Sequence, residues 1–346
     1  MTTYFSFNNL YQAYVDCRLH KSTTINHLLY RQHLERNLRE LEQSLANHTY
    51  HPVRSIAFVV THPKIREVFA ADFSDRVVHH LLYNYLEPIF EPKFIYDSFA
   101  CRKHKGTHAS IVRLQQFAYN TVQQNPDGYY LKMDIKSFFM SIDKHILFRL
   151  IAKQVKNPEI LWLTQTVIFH DCARDIPPKI QSHPSLLGKI PPEKSLFTIP
   201  TGKGLPIGNL TSQFFANVYL DRLDQFVKHQ LKVKYYVRYV DDFILLAPHR
   251  DILLGYQKKI EHFLGNELAL TAHPNKTIIR PINSGIDFVG YIVRPDYTLV
   301  RKRVVGQWRY KLQTNPKEEH QKISDSYCAH TKFANARRLE EKMNPK

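Results

Sequence analysis

Cysteine is scarce in this chain, and what there is lies far apart. Cys17, Cys101, Cys172 and Cys328 show no Cys-x-x-Cys spacing, which gives neither a zinc cluster nor a disulfide framework and predicts a reducing compartment. Long apolar runs are also missing. No stretch of about 18 apolar residues occurs, and the start, MTTYFSFNNL, lacks a basic flank followed by an apolar segment. A soluble, cytoplasmic protein without a membrane partner is therefore expected. Internal repeats are absent too. Acidic residues are outnumbered, with 31 Asp and Glu against 48 Lys and Arg, a formal net charge of +17 over 346 residues. Such a surplus holds a polyanion through counterion release, so nucleic acid is the first expected partner. The bland alternative is an ordinary basic protein.

What is present suits a folded chain of one large domain or two to three subdomains. Aromatics make up 12% of residues, enough for base-stacking platforms, although most of the 20 Tyr and 21 Phe belong to a core. Residues 5–50 read as helical, with leucines and charges interleaved through HLLYRQHLERNLRELEQSL. SIAFVV (55–60) has strand character and precedes a polar turn at His62–Ile65; DRVVHHLLYNYLEPIF reads as a helix over 74–90, ended by Glu91-Pro92. Residues 171–207 are rich in Pro, Lys and Ser and poor in periodicity, which predicts a long loop. A helix follows over 209–229, and the last 40 residues are basic with helical signals.

Three carboxylates draw attention. In YYLKMDI (129–135) the residues alternate, so that Leu131, Met133 and Ile135 face one way while Lys132, Asp134 and Lys136 face the other. In YYVRYVDDFILLA (235–247) two apolar strands meet at an acidic turn, Asp241-Asp242. Adjacent aspartates inside an apolar hairpin are costly unless positive charge neutralises them. A pair of Mg²⁺ ions supplies that charge and accounts for a third carboxylate from another strand. The competing reading is a polar turn, since Asp favours turns; the placement between apolar strands, well after a strand-borne Asp, favours catalysis.

On these motifs the chain resembles the reverse transcriptases, over roughly residues 55–300. YVDD (239–242) is similar to the family's catalytic motif, and YYLKMDIKSFFMSID (129–143) to the preceding one, which carries the first metal ligand over to Asp134. The resemblance implies two Mg²⁺ ions, with Mn²⁺ as a substitute, held by Asp134, Ile135, Asp241 and Asp242; Ile135 is also implied as a nucleotide contact. It makes Phe139 the aromatic gate that excludes a ribose 2′-hydroxyl, the alternative being that Phe138 or Phe139 is simply core. PKIREVFAADFSDRVVHH (63–80) and SFACRKHKGTHAS (98–110) are similar to finger motifs of group II intron-like enzymes. They place Arg66, and less firmly Lys64, on the nucleotide triphosphate, which a guanidinium suits by donating two parallel hydrogen bonds. Arg102, Lys103 and Lys105 either track template backbone or form a solvated basic loop. HPNKT (273–277) is similar to the motif whose lysine, here Lys276, lies near the leaving pyrophosphate and donates a proton; an exposed loop lysine is the alternative. GIDFVGYIVRP (285–295) resembles the primer-grip hairpin, where Gly290 permits close backbone approach.

One motif departs from the common pattern. Where most reverse transcriptases have Gln-Gly-x-x-x-Ser-Pro, this chain reads IGNLTSQ (207–213), with Ile207 for Gln and Gln213 for Pro. Ile207, Gly208 and Gln213 are the implied nucleotide contacts here. The pattern resembles enzymes of diversity-generating retroelements of bacteria and phages. These copy a template-repeat RNA with errors opposite adenine and work with a small basic accessory variability protein; the lack of a nuclease or maturase-like extension fits them. Ile cannot make the hydrogen bond a Gln offers the incoming nucleotide, so the check on base-pair shape loosens; a neutral substitution in an accurate enzyme is the alternative. The expected fold is an α/β (α+β) right-hand polymerase: a helical segment at 1–54, fingers at 55–128, a palm at 129–299 and a short basic helical thumb at 300–346. Expected partners are template RNA, the RNA/DNA hybrid and deoxynucleoside triphosphates. The rival functions are a retron-like or group II-like reverse transcriptase of ordinary fidelity, a catalytically silent RNA-binding scaffold and, least favoured, an RNA-dependent RNA polymerase.

Overall fold

The computed structural model describes residues 4–19, 23–62 and 64–343. Pro63 of the expected turn, and the outermost positions of the expected end segments, lie outside the described residues. Helices are α1 (Phe7–Arg18), α2 (Ile25–Gln32), α3 (Leu34–Ala46), α4 (Phe73–Phe90), α5 (Thr107–Gln124), α6 (Phe138–Ser141), α7 (Lys144–Ala152), α8 (Pro158–Phe169), α9 (Pro184–Leu187), α10 (Leu210–Gln225), α11 (Arg250–Leu268), α12 (Lys302–Thr314), α13 (Lys317–Thr331) and α14 (Arg337–Met343). Strands are β1 (Ile56–Val60), β2 (Arg66–Ala70), β3 (Tyr129–Asp134), β4 (Lys179–Ile180), β5 (Tyr235–Tyr239), β6 (Asp242–Ala247), β7 (Ile278–Pro281), β8 (Ile286–Phe288), β9 (Tyr291–Val293) and β10 (Thr298–Val300). They gather into two compact units, each built from separated stretches of chain. The first is Met1–Phe94, Lys136–Arg222 and Leu264–Leu270; the second is Ile95–Ile135, Leu223–Phe263 and Thr271–Lys346.

In the first unit, the helical region at 5–50 is built of three helices, α1 to α3. Its aromatic core joins Tyr14, Tyr30 and His27 to Phe73 at the start of α4, with Tyr14 Oη 3.1 Å from His27 Nε2. α4 opens on Asp72, whose carboxylate accepts from Ser74 N at 2.9 Å, a cap worth about 1 kcal/mol. Its buried stripe is Val77, Val78, Leu81, Leu82 and Leu86. A small sheet has the order β2-β1-β4, β1 pairing antiparallel with β2 (Ile56↔Ala70) and parallel with β4 (Ile56↔Lys179).

The segment at 171–207 is more ordered than its composition suggests. Besides β4, α9 and one 3-10 turn, it contains a tether to β2. Glu67 on β2 is buried, and its carboxylate accepts from Ser195 Oγ at 2.7 Å and Leu196 N at 2.9 Å. Burial pushes the Glu67 pKa up, and those two bonds offset part of that cost. Leu196, Phe197 and Ile199 pack with Phe69, Met140 and Cys172.

The second unit centres on a four-stranded antiparallel sheet in the order β5-β6-β3-β7. β3 is interior, and its register with β6 runs from Tyr129↔Ala247 to Asp134↔Asp242. Leu131 and Met133 on one face are fully buried, as the alternation predicts. On the other face the register lines up Tyr130 with Leu246 and Tyr235, and Lys132 with Ile244 and Val237. α5 packs Ile111, Leu114, Phe117 and Ala118 into the apolar cluster of this face. Burial of Ile111, Leu114 and Phe117 contributes about 1.5–3 kcal/mol each. Toward the far end of the same face the pairs turn acidic. A second sheet, β10-β9-β8, adds Ile286, Phe288, Tyr291 and Val293 to the cluster, and α12 to α14 follow it.

Candidate active site

The strand register builds the acidic end. Asp134 closes β3, and Asp242 opens β6 directly opposite it, so the two carboxylates share one face about 4.5–5.5 Å apart at Cβ. Asp242 also pairs with Tyr239 across the hairpin, which leaves Val240 and Asp241 as a two-residue turn. Val240 takes φ 55°, a left-handed conformation that a β-branched residue rarely adopts and that costs on the order of 1–3 kcal/mol. The hairpin therefore holds strain at its tip, between the two strands that carry the charges.

Two lysines answer the carboxylates. Lys276, at the end of the 3-10 turn Pro274–Lys276, donates from Nζ to both Asp134 oxygens at 2.7 and 2.8 Å. The turn is anchored to the same strand end, because His273 N donates to Asp134 O at 2.7 Å and Ile135 bridges to Ala272. Lys132 Nζ lies 2.9 Å from Asp242 Oδ2 and donates to Asp287 O on β8 at 2.7 Å. Asp287 also pairs with Arg301. Negative charge nevertheless remains in excess. Burial, then the neighbouring charge of Asp134, pushes the Asp241 pKa up to about 6. Burial raises Asp242 as well, against the opposing pull of Lys132, and its Oδ1 is buried without a hydrogen-bond partner.

A divalent cation fits this chemistry. The donors are hard carboxylate oxygens, one of them orphaned, and their charge is incompletely balanced, which suits a hard divalent ion. Among the described residues, no three His, Cys, Asp or Glu side chains already converge as a formed cage. In this arrangement both oxygens of Asp134 are engaged by Lys276. Ile135 has its side chain buried at the end of β3.

The other sequence-predicted residues belong to the first unit. Phe139 lies on the short α6; it and Ile207 each pack against the cluster that holds Phe69, Met140 and Leu196, while Phe138 is buried. Phe139 O accepts from Leu205 N at 2.8 Å, and Ile207 O accepts from Phe69 N at 2.8 Å. Gly208, at φ 125°, lies so close to β2 that an added Cβ would stand 2.8 Å from Phe69 O. Gln213 is exposed on the first turn of α10, and Arg66 is exposed at the start of β2, with Lys64 exposed just before it.

Several structural residues carried weaker signals. Arg102 Nη1 donates to Ile95 O and Ser98 O at 2.7 and 2.8 Å, and Lys105 Nζ donates to Tyr96 O at 2.9 Å, so both shape their own loop. Gly290 has φ 98° in the β8–β9 turn and approaches His330. Lys132 was visible only as a neighbour on the Asp134 face; a lysine two residues before a strand-borne aspartate was the available clue. Arg238 and Asp224, both fully buried and 2.6 Å apart, were signalled only by a charge inside an apolar strand.

The chain is similar to several known proteins. Escherichia coli (strain K12) protein YkfC is 21% identical over 340 residues, covering 88% of this chain and 82% of that protein. The group II intron-encoded protein LtrA of Lactococcus lactis subsp. cremoris is 22% identical over 328 residues, 75% of this chain but only 50% of its own length. The fold is also similar to apo telomerase from Candida tropicalis, with TM-score 0.50 at 12% identity over 79% of this chain and 51% of that one. No helix among the described residues is long and apolar enough to cross a membrane. Residues 62–293 match the reverse transcriptase (RNA-dependent DNA polymerase) family, and the chain belongs to that family.

Proposed function

We propose that the chain copies a template-repeat RNA into adenine-mutagenised DNA as the polymerase of a diversity-generating retroelement. The observation that carries its polymerase chemistry is the cross-strand pair Asp134↔Asp242 with Asp241 at the adjoining tip. In this reading Asp134 and Asp241 hold two divalent ions, with Ile135 beside them, and Asp242 is more peripheral because Lys132 already balances it. The bound ions, Mg²⁺ or Mn²⁺, supply electrostatic stabilisation for attack by a primer 3′-hydroxyl on a deoxynucleotide α-phosphate. Lys276, 2.7 Å from Asp134 and exposed enough to swing, protonates the leaving pyrophosphate. Arg66 and Lys64 bind the triphosphate, and Phe139 turns away a 2′-hydroxyl. The regions take the roles of N-terminal helical segment (1–54), fingers (55–128), palm (129–299) and short basic thumb (300–346).

Loose fidelity is supported by Ile207. It presents an apolar side chain to the same cluster that Phe139 packs against, immediately before Gly208, and Gln213 follows on α10. No amide is offered where a Gln would steady the nucleotide. RNA bridges the chain to its basic accessory partner, since two basic surfaces repel. The similarity to a group II intron-encoded protein favours a second reading, a group II-like enzyme of ordinary fidelity. Primer extension on an adenine-containing RNA with Mg²⁺ and deoxynucleotides, followed by cDNA sequencing, separates the two. Errors concentrated opposite adenine are expected, and all extension should vanish in Asp241→Asn. Accurate extension would sink the mutagenic reading; no extension, with cognate RNA and accessory protein added, would sink the polymerase.

A further inference from the structure

Arg238 sits on β5 opposite Phe243, on the sheet face turned away from Asp134 and Asp242. It is wholly buried, and so is Asp224 near the end of α10. The guanidinium makes a bidentate pair, Nε to Oδ1 at 2.8 Å and Nη2 to Oδ2 at 2.6 Å. Asp224 Oδ1 also accepts from Tyr236 Oη at 2.7 Å, and Arg238 Nη2 donates to Ser98 Oγ at 2.9 Å. The remaining arm, Nη1, donates to Val240 O at 3.0 Å. That carbonyl belongs to the strained residue at φ 55°, and the next residue is Asp241.

We infer that Arg238, fixed by Asp224, is a positioning residue that clamps the Val240 peptide from the reverse face and so sets the divalent-ion geometry of Asp241 and Asp242. This rests on the proposed polymerase chemistry at the aspartates. A buried ion pair is a poor source of net stability, because desolvation cancels much of the attraction. Its geometry has another use here. A guanidinium has enough donors, in a rigid plane, to hold a carboxylate with one edge and a turn carbonyl with another, which a lysine cannot do. Strain at Val240 persists only if its surroundings over-determine it, and this carbonyl is held from within the sheet itself.

The test replaces both charges together, Arg238→Met with Asp224→Asn, so that no uncompensated buried charge remains and the Tyr236 hydroxyl keeps an acceptor. The parent chain, this pair and the pair carrying Val240→Gly are compared by melting temperature, primer-extension kinetics and Mn²⁺ affinity, measured by electron paramagnetic resonance without nucleic acid. The pair is expected to melt close to the parent but to lose about tenfold in both kcat and Mn²⁺ affinity, with the nucleotide KM changed less than about twofold. Val240→Gly, which adopts a positive φ freely, is expected to restore most of that loss. Parental Mn²⁺ affinity in the pair, or a loss that follows the melting temperature and is not restored by glycine, overturns the clamp. Should the parent itself extend no primer, the polymerase reading fails, and the Mn²⁺ affinities still decide for or against the clamp.

Discussion

At the residue scale, three aspartates at the end of the sheet are met, among the described residues, by only two lysines, Lys132 on Asp242 and Lys276 on Asp134. Asp134 and Asp241-Asp242 stand out because a carboxylate in an apolar strand has to be explained. The lysines that meet them come from ordinary positions, and only the register of β3 with β6 and the turn after α11 reveal which is bound to which. The excess charge has a measurable consequence. Asp241 has an ordinary carboxyl pKa of 3.8 that rises in the folded chain to about 6, so between those values the folded state binds more protons than the unfolded one. Stability must therefore fall as pH rises through that window, by about 3 kcal/mol for this group once it is fully ionised. Without divalent ions, Asp241→Asn should raise the melting temperature by several degrees at pH 8 and hardly change it at pH 4, while abolishing primer extension. Thermal unfolding of both proteins in chelator at the two pH values checks this, and a less stable variant at pH 8 would refute it.

At the scale of elements, periodicity found the N-terminal helices, α4, α10 and the strands that carry the aspartates, but neither the long α5 and α11 nor the short pieces. The region at 171–207 reads as loop because two-residue β4 and four-residue α9 are too brief to show a period. Its order comes from remote tethers such as Glu67 to Ser195 and Leu196, which no local window contains. The join between this region and α10 is the more consequential element. Gly208 is spaced so tightly against β2 that a methyl group would stand 2.8 Å from both Phe69 O and Val68 Cγ1, at a φ of 125° that L-residues avoid. Gly208→Ala has no cheap accommodation, because one of the atoms in its way is backbone. It should cost about 2 kcal/mol or more in urea unfolding and push Ile207 away from Phe69. Extension by the surviving folded fraction should then show a raised nucleotide KM. An alanine variant as stable as the parent, with parental KM, would mean that this close approach does not shape the nucleotide site.

At the scale of the whole molecule, charge decides what the catalytic geometry is presented with. The formal net charge of +17 was plain in the composition and needs no structure to be used. Its effect is not confined to the aspartates, because long-range attraction sums over every lysine and arginine facing the polyanion. If RNA binding is mainly this electrostatic association, then log affinity should fall linearly with log salt, with a slope set by the phosphates neutralised. A chain neutralising about six phosphates should lose roughly a thousandfold in affinity between 50 and 200 mM salt. Asp241→Asn should leave that slope unchanged, since it alters one carboxylate and no phosphate contact. Arg66→Ala should leave it unchanged for RNA alone, because its proposed ligand is the nucleotide triphosphate; in the same variant the nucleotide KM should rise. Fluorescence anisotropy on a labelled template across a salt series measures the slopes, and nucleotide titration of primer extension measures KM. A shallower RNA slope in Arg66→Ala with an unaltered KM would move that arginine from the nucleotide to the template, while a slope near zero in the parent would show that shape and stacking, rather than charge, hold the RNA.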